Sequence, residues 1–356
     1  MARKLYLPKT VDVALAERMA WIFDTYQNVV VSISGGKDST VLVDAARKEA
    51  VSRGRTVTAF FLDQEAEYGA TIEHVRHIMA QPGVVPAWYQ VPLRMTNALS
   101  YEEDMLHAWQ PGAEWMRPQE AGSIKEALGA PDRFHAFFEW MEAKAGADTA
   151  FLVGLRAEEA LNRYRAVTKN EAVPGVPWSS RTKGAAVKLY PLYDFTFEDI
   201  WTYLGKNRVP YNRAYDWMWA KGHGIQEMRV SNLIHEQAFH SLSTLQEFEH
   251  ETFEALNRRI AGVHAAALYA GEQSVYQTLT RPKAYPTWKA YRDFLLQTLP
   301  IDVGKFRARF ARQPEAENVA RSQCRALLLK DHEANLPIDT TVKDPRASLA
   351  KWMDIL

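Results

Sequence analysis

Six consecutive residues, Ser34-Gly35-Gly36-Lys37-Asp38-Ser39, carry the most specific chemistry in the sequence. Two adjacent glycines let the backbone turn tightly and approach a ligand without Cβ clashes. The amide N–H groups of such a bend form a concave nest for anions. A helix beginning there adds unsatisfied donors and the positive end of its dipole. Lys37 supplies an ammonium, and Ser34 and Ser39 supply hydroxyls. The set suits pyrophosphate, or another phosphate or sulfate group. It is not a Walker A loop, because Asp38 follows Lys37 and no glycine stands five residues before the lysine.

Other constellations are weaker. Asp63, Glu65 and Glu67 cluster after an apolar run. Asp63 would hold Mg²⁺ through water or contact a ribose, and the plainer reading of all three is solvated or helix-N-terminal carboxylates. Arg156, Glu159 and Arg163 are spaced i, i+3 and i+7. On a helix they would share a face, with the glutamate orienting both guanidiniums toward sulfate or phosphate oxygens. A surface ion-pair stripe is the bland alternative. Residues 163–188 contain Arg163, Arg165, Lys169, Arg181, Lys183 and Lys188 against Glu171, with Pro174, Gly175, Pro177 and Gly184. This reads as a basic loop: a lid over a polyanion, a solvated linker, or the place for nucleic acid to dock, with Trp178 free to stack. His74 and His77 share a helix face but lack a third ligand of zinc spacing. Trp109, Trp115, Phe137, Phe138 and Trp140 read as core.

The elements that must position these residues follow from periodicity. Residues 28–33 form a buried-strand run ending at the glycine pair, and 38–51 carry a helical apolar stripe. Residues 56–62, 86–91 and 149–154 read as further strands, and 71–79 as a helix. Strands alternating with helices predict an α/β fold with a mostly parallel sheet covered on both faces. Residues 94–147 read as a helical insertion. Strand signals fade after Asp194, so the expected organisation is a 1–232 domain followed by a helical 233–356 region with a polar tail after Pro337.

Composition bounds the function. The 356 residues are 47% hydrophobic and 24% charged, which excludes a disordered or collagen-like chain. Lys plus Arg and Asp plus Glu both total 43, a neutral balance that argues against bulk binding to nucleic acid or membrane. The single Cys324 excludes an intrachain disulfide, a CxxC pair and a cysteine-ligated cluster. No apolar stretch approaches a membrane span, and the N-terminal residues lack the apolar run of a secretory signal. The expected compartment is the cytoplasm.

The string Ser34–Ser39 resembles the PP-loop of the adenine-nucleotide α-hydrolase-like superfamily, and within it the phosphoadenylylsulfate (PAPS) reductase family. The likeness continues through Phe61-Leu62-Asp63-Gln64-Glu65, Gly154-Leu155-Arg156-Ala157-Glu158-Glu159, Tyr190-Pro191-Leu192-Tyr193-Asp194-Phe195 and Val209-Pro210-Tyr211-Asn212. Met228-Arg229-Val230-Ser231-Asn232 and Arg259-Ile260-Ala261-Gly262 are similar to the immunoglobulin-binding regulator A subgroup. The resemblance implies a PP-loop fold that binds ATP or a PAPS-like nucleotide with Mg²⁺. In that reading Ser34, Gly35, Gly36, Ser39 and Glu159 shape the nucleotide site and Lys37 neutralises pyrophosphate. Asp38 and Asp63 organise the metal, and Arg156 and Arg163 hold a sulfate-like acceptor. The stretch after Asn212 lacks the cysteine a reductase would use, so attack at the α-phosphate of ATP leads. PAPS-dependent sulfotransferase or reductase chemistry is the alternative. A nucleotide-sensing regulator with a ParB-like partner is the non-enzymatic one.

Overall fold

The computed structural model describes residues 8–99, 103–168, 171–225, 228–230, 232–235, 242–268, 280–332, 334, 336 and 338–340. Lys169 and most of the tail after Pro337 lie outside them. The described residues fall into two compact units. One takes the residues up to 95 with 107–233 and 244–259; the other takes 96–106, 234–243 and those from 260 onward.

The chain begins with α1 (Val11–Thr25), β1 (Asn28–Ser32), α2 (Lys37–Ser52), β2 (Val57–Leu62), α3 (Gly69–Met79) and β3 (Val84–Tyr89). It continues through β4 (Leu93–Thr96), β5 (Met105–Ala108), α4 (Phe134–Lys144), β6 (Thr149–Val153), α5 (Leu161–Thr168), β7 (Ser179–Arg181) and β8 (Val187–Leu189). Helices α6 (Phe197–Asn207), α7 (Ala214–Ala220), α8 (Leu242–Phe248) and α9 (His250–Arg259) follow. The last are α10 (Val263–Leu268), α11 (Trp288–Thr298), α12 (Gly304–Phe310) and α13 (Glu317–Leu328).

Six strands form one sheet in the order β3-β2-β1-β6-β8-β7. All pairs are parallel except β7–β8. From β1 the chain moves outward to β2 and β3, then returns to place β6 on the other side of β1, where Val31 lies opposite both Ala59 and Leu152. That reversal opens a crevice beyond the C-terminal ends of β1 and β6, where ligands of open α/β sheets bind. Val29, Val31, Ala59, Phe61, Ala150 and Leu152 are buried in the sheet core with Val41, Leu42 and Ala46 of α2. In the second unit Leu295, Leu296, Phe306, Phe310, Ala326 and Leu327 pack around Cys324. Among the described residues no helix is long and apolar enough to cross a membrane.

Three expectations need adjustment. Residues 94–147 hold one described helix, α4, and the ribbon β4–β5; their aromatic density reflects side-chain packing, with Trp109 and Phe137 fully buried. The described part of the basic 163–188 stretch is folded onto the sheet rather than poised as a lid. Strands β7 and β8 lie within it, and Ser179 Oγ accepts from the Ala172 and Val173 N–H groups. Lys188 pairs with Glu142 at 2.6 Å. Trp178 is buried edge-to-face on Trp21, with ring centroids 5.4 Å apart, so it offers no face for base stacking. Finally, Arg156, Glu159 and Arg163 do not share one helix. The chain turns after Arg156, where the Ala157 N–H is taken by Tyr193 O, and α5 begins only at Leu161.

Candidate functional site

The paired-glycine loop joins β1 to α2 at the mouth of the crevice. Ile33 N–H still bonds Phe60 O at 2.9 Å, and the chain then turns at Gly35 with φ +70°. A Cβ on Gly35 would stand 2.6 Å from Thr71 Cγ2, so α3 closes one side of the bend. Gly154, just past β6, serves the other side. A Cβ there would meet Asp38 C and Ser39 N at 3.1 Å, so its absence lets β6 pack against the first turn of α2.

The loop is also clamped from a distant segment. Asn212 Nδ2 donates to Gly35 O at 3.1 Å and to Thr71 Oγ1 at 2.9 Å. The Tyr215 hydroxyl accepts from the Lys37 N–H at 3.1 Å. Inside the loop, Ser39 Oγ donates to Gly36 O at 2.9 Å and accepts from the Ser34 N–H at 3.2 Å. Thr40 Oγ1 bonds Gly36 O at 2.9 Å and His74 Nε2 at 2.8 Å. Ser34 and Ser39, expected as ligand donors, therefore also shape the bend.

Lys37 differs more from expectation. Its ammonium is buried over the Phe197 and Tyr215 rings, 5.6 and 5.2 Å from their centroids, and pairs with Asp38 at 3.1 Å. Burial lowers its pKa, against the opposing pull of Asp38. Asp38 is gripped in turn by Arg156 Nε. Glu159 sits between two guanidiniums, 3.9 Å from Arg156 and hydrogen-bonded to Arg163. Arg229, not among the expected site residues, joins through Glu159 O at 3.5 Å. Burial and the nearby cation of Arg229 lower the pKa of Arg163. Four cations (Lys37, Arg156, Arg163, Arg229) thus surround two carboxylates (Asp38, Glu159), an excess of two positive charges beside the loop. Such a patch in a partly desolvated crevice attracts an oxyanion.

The carboxylates beyond β2 do not face solvent. Asp63 is fully buried, with Oδ2 accepting from Trp88 Nε1 at 2.8 Å and Gln90 Nε2 at 2.9 Å. Arg117 Nη2 reaches both oxygens at 2.6 and 2.7 Å. Glu65, with φ +67°, accepts from Arg259 Nε at 2.7 Å and from the Trp109 and Met116 N–H groups. Glu67 is buried beside Asp63, and burial raises its pKa to about 8. Nothing in the local sequence marks Arg117 or Arg259 as their partners, because both are brought in by tertiary packing.

This arrangement does not fit a resident magnesium ion. Mg²⁺ needs carboxylate oxygens turned toward an open, hydrated position. Asp38 is committed to Lys37 and Arg156, and Asp63 is enclosed by Arg117, Trp88 and Gln90. Among the described residues no group of three or more His, Cys, Asp and Glu side chains could hold a metal. Cys324 is buried in the second unit with its Sγ on Trp288 O, and burial raises its pKa to about 12. It is a packing residue rather than a nucleophile.

Known proteins resemble this chain over the same segments. The uncharacterized protein YbdN of Escherichia coli (strain K12) is 28% identical over 320 residues, covering 83% of this chain and 77% of that protein. An adenosine 5'-phosphosulfate reductase of Lysinibacillus sphaericus is 26% identical over 204 residues, 56% of this chain and 73% of its own. The phosphate complex of the phosphoadenylyl-sulfate (PAPS) reductase of Candida auris has a TM-score of 0.33 at 15% identity, over 65% of this chain and 98% of that one. Residues 222–313 match a domain of unknown function, DUF3440. The sequence profile of the phosphoadenosine phosphosulfate reductase domain matches residues 28–220, which contain the sheet, the loop and most of the cationic crevice. The chain belongs to that family.

Proposed function

We propose that the chain is an enzyme that binds an adenine nucleotide with its phosphates on the Ser34–Ser39 loop and transfers the adenylyl group to an oxyanion. The observation that carries this reading is the excess of positive charge beside the loop at the C-terminal ends of β1 and β6. The acceptor oxygen, held by Arg156, Arg163 and Arg229, attacks the α-phosphorus of ATP. The bond from that phosphorus to the bridging oxygen breaks, and pyrophosphate leaves with the electron pair onto the loop amides. An anionic acceptor brings no proton to remove, so no general base is required. The residues supply positioning and charge compensation, which dominate phosphoryl-type transfer. Lys37 compensates charge from behind the loop, Asp38 and Glu159 orient the guanidiniums, and Asp63 braces the crevice wall. Any magnesium would arrive on the ATP phosphates as part of the substrate.

Sulfate is the acceptor that the reductase relatives suggest. Arg163 is 41% exposed, so its truncation leaves the core intact. Pyrophosphate release from ATP in the presence of sulfate should fall about 100-fold in Arg163→Ala, as when one preorganised charge is removed from a transition state. Equal turnover in the wild type and the variant rejects the assignment.

A second reading is favoured by the family profile: a sulfonucleotide such as PAPS is the substrate, as in a sulfotransferase. It requires PAPS to bind more tightly than ATP in calorimetric titration. Reduction through a thiol of this chain is disfavoured by the burial and raised pKa of Cys324. The regulator reading, with a cytoplasmic ParB-like partner, rests on the resemblance to regulator A proteins alone. It requires partner binding that survives Arg163→Ala.

A further inference from the structure

A separate cleft lies on the helical layer, between α2, α3 and the turn after α6. Its volume is about 290 Å³, at the lower end for small-molecule sites. Val43, Ile78, Val84, Val209 and Pro210 give it an apolar floor. Arg47, Lys48 and Arg208 stand at its rim against one carboxylate, Asp44, an excess of two positive charges. Asp44 is already engaged: it pairs with Lys48 at 2.7 Å and Arg47 at 3.3 Å, and accepts from the Tyr203 hydroxyl at 2.9 Å. Among the described residues no carboxylate pairs with Arg208, which an unusual backbone sets into the lining of the cleft.

That backbone is an independent observation. Arg208 caps α6 in the left-handed region, with φ 51° and ψ 42°. This is the position at which helices ordinarily place glycine, because a side chain there crowds the following carbonyl. Strain of this kind persists where the side chain is used. Here it places Arg208, like Arg47, in the lining of the cleft. A planar guanidinium is the donor best matched to carboxylate and phosphate oxygens.

We infer that this cleft is a second binding site, for a small anion with an apolar body: a carboxylate or phosphate monoester whose head lies between Arg47 and Arg208 and whose flat or short body lies on Val43, Ile78 and Val209. The cleft is distinct from the loop crevice, but Thr40 belongs to both. It lines the cleft and bonds Gly36 O, so occupancy on this side bears on the loop.

The test uses phenyl phosphate as the probe, with inorganic phosphate and phenol as its two halves, titrated into the full chain by calorimetry. Phenyl phosphate should bind at least ten-fold more tightly than either half. Arg208→Gly removes the guanidinium and relieves the backbone, so the variant should melt at the same temperature or higher. Its affinity for phenyl phosphate should nevertheless fall at least ten-fold, and Arg47→Ala should behave alike in binding. Equal affinity for all three probes overturns the inference. So does phenyl phosphate binding that Arg208→Gly leaves unchanged and Arg156→Ala abolishes, since that places the probe at the loop crevice.

Discussion

Gly35 gives the most direct access to the shape of the loop. Replacing it with alanine adds one methyl group, and the structure specifies what that methyl meets. It would lie 2.6 Å from Thr71 Cγ2 and 3.4 Å from Val75 Cγ2, at a φ of +70°. Carbon atoms rest about 3.5–4.0 Å apart, so the first contact is too close by roughly 1 Å. Overpacking of that order costs about 1–3 kcal/mol, and the left-handed backbone adds about 1–2 kcal/mol for a residue with a Cβ. Gly35→Ala should therefore lose about 2–5 kcal/mol. The two contributions can be separated. Thr71→Ser deletes the clashing methyl but keeps the hydroxyl that receives the Asn212 amide. In a double-mutant cycle, Thr71→Ser should recover about 1–3 kcal/mol of the Gly35→Ala loss and leave the backbone share. Urea denaturation followed by tryptophan fluorescence measures all four proteins. A Gly35→Ala variant within about 0.5 kcal/mol of the wild type, the scale of ordinary surface changes, would refute the geometry of the bend. So would a zero coupling energy.

Two further predictions concern pH. His74 is buried, and burial with the neighbouring His77 lowers its pKa to about 4 from 6.5, so the unfolded chain takes up this proton first as pH falls. Stability should drop between about pH 6.5 and 4, by about 3 kcal/mol in total, and His74→Gln should flatten that slope in urea midpoints measured across the range. Glu67 works in the opposite sense: its pKa is raised to about 8, so the folded state holds the extra proton. Its contribution is full below about 4.5 and lost as pH rises through about 8, and Glu67→Gln should hold the urea midpoint steady where the wild type declines.

The parts of the fold that were legible in the sequence are those written locally. Strands β2 and β6 are buried along nearly their whole length, and β1 buries Val29 and Val31 with Val30 half-buried, so all three read as continuous apolar runs. The Ser34–Ser39 string declares itself by glycine and charge. What escaped depends on side chains arriving from far along the chain. Asp63 looks like an exposed loop carboxylate until Arg117 and Trp88 enclose it, and Arg229 reaches the crevice with no periodic signal of its own. The burial of Lys37 was not legible either, because Phe197 and Tyr215, remote in sequence, make the cation–π cage around its ammonium. Strands β7 and β8 have three residues each, too short for alternation to reveal.

The clamp on the loop has a consequence for synthesis. Gly35 and Lys37 emerge early from the ribosome, yet the groups that hold them, Asn212 and Tyr215, are made almost 180 residues later. A nascent polypeptide lacking those two residues holds β1 and α2 without the groups that fix the bend between them. The shape of the bend thus waits until the first unit is nearly complete, and an unfinished chain carries the recognisable string without its final geometry.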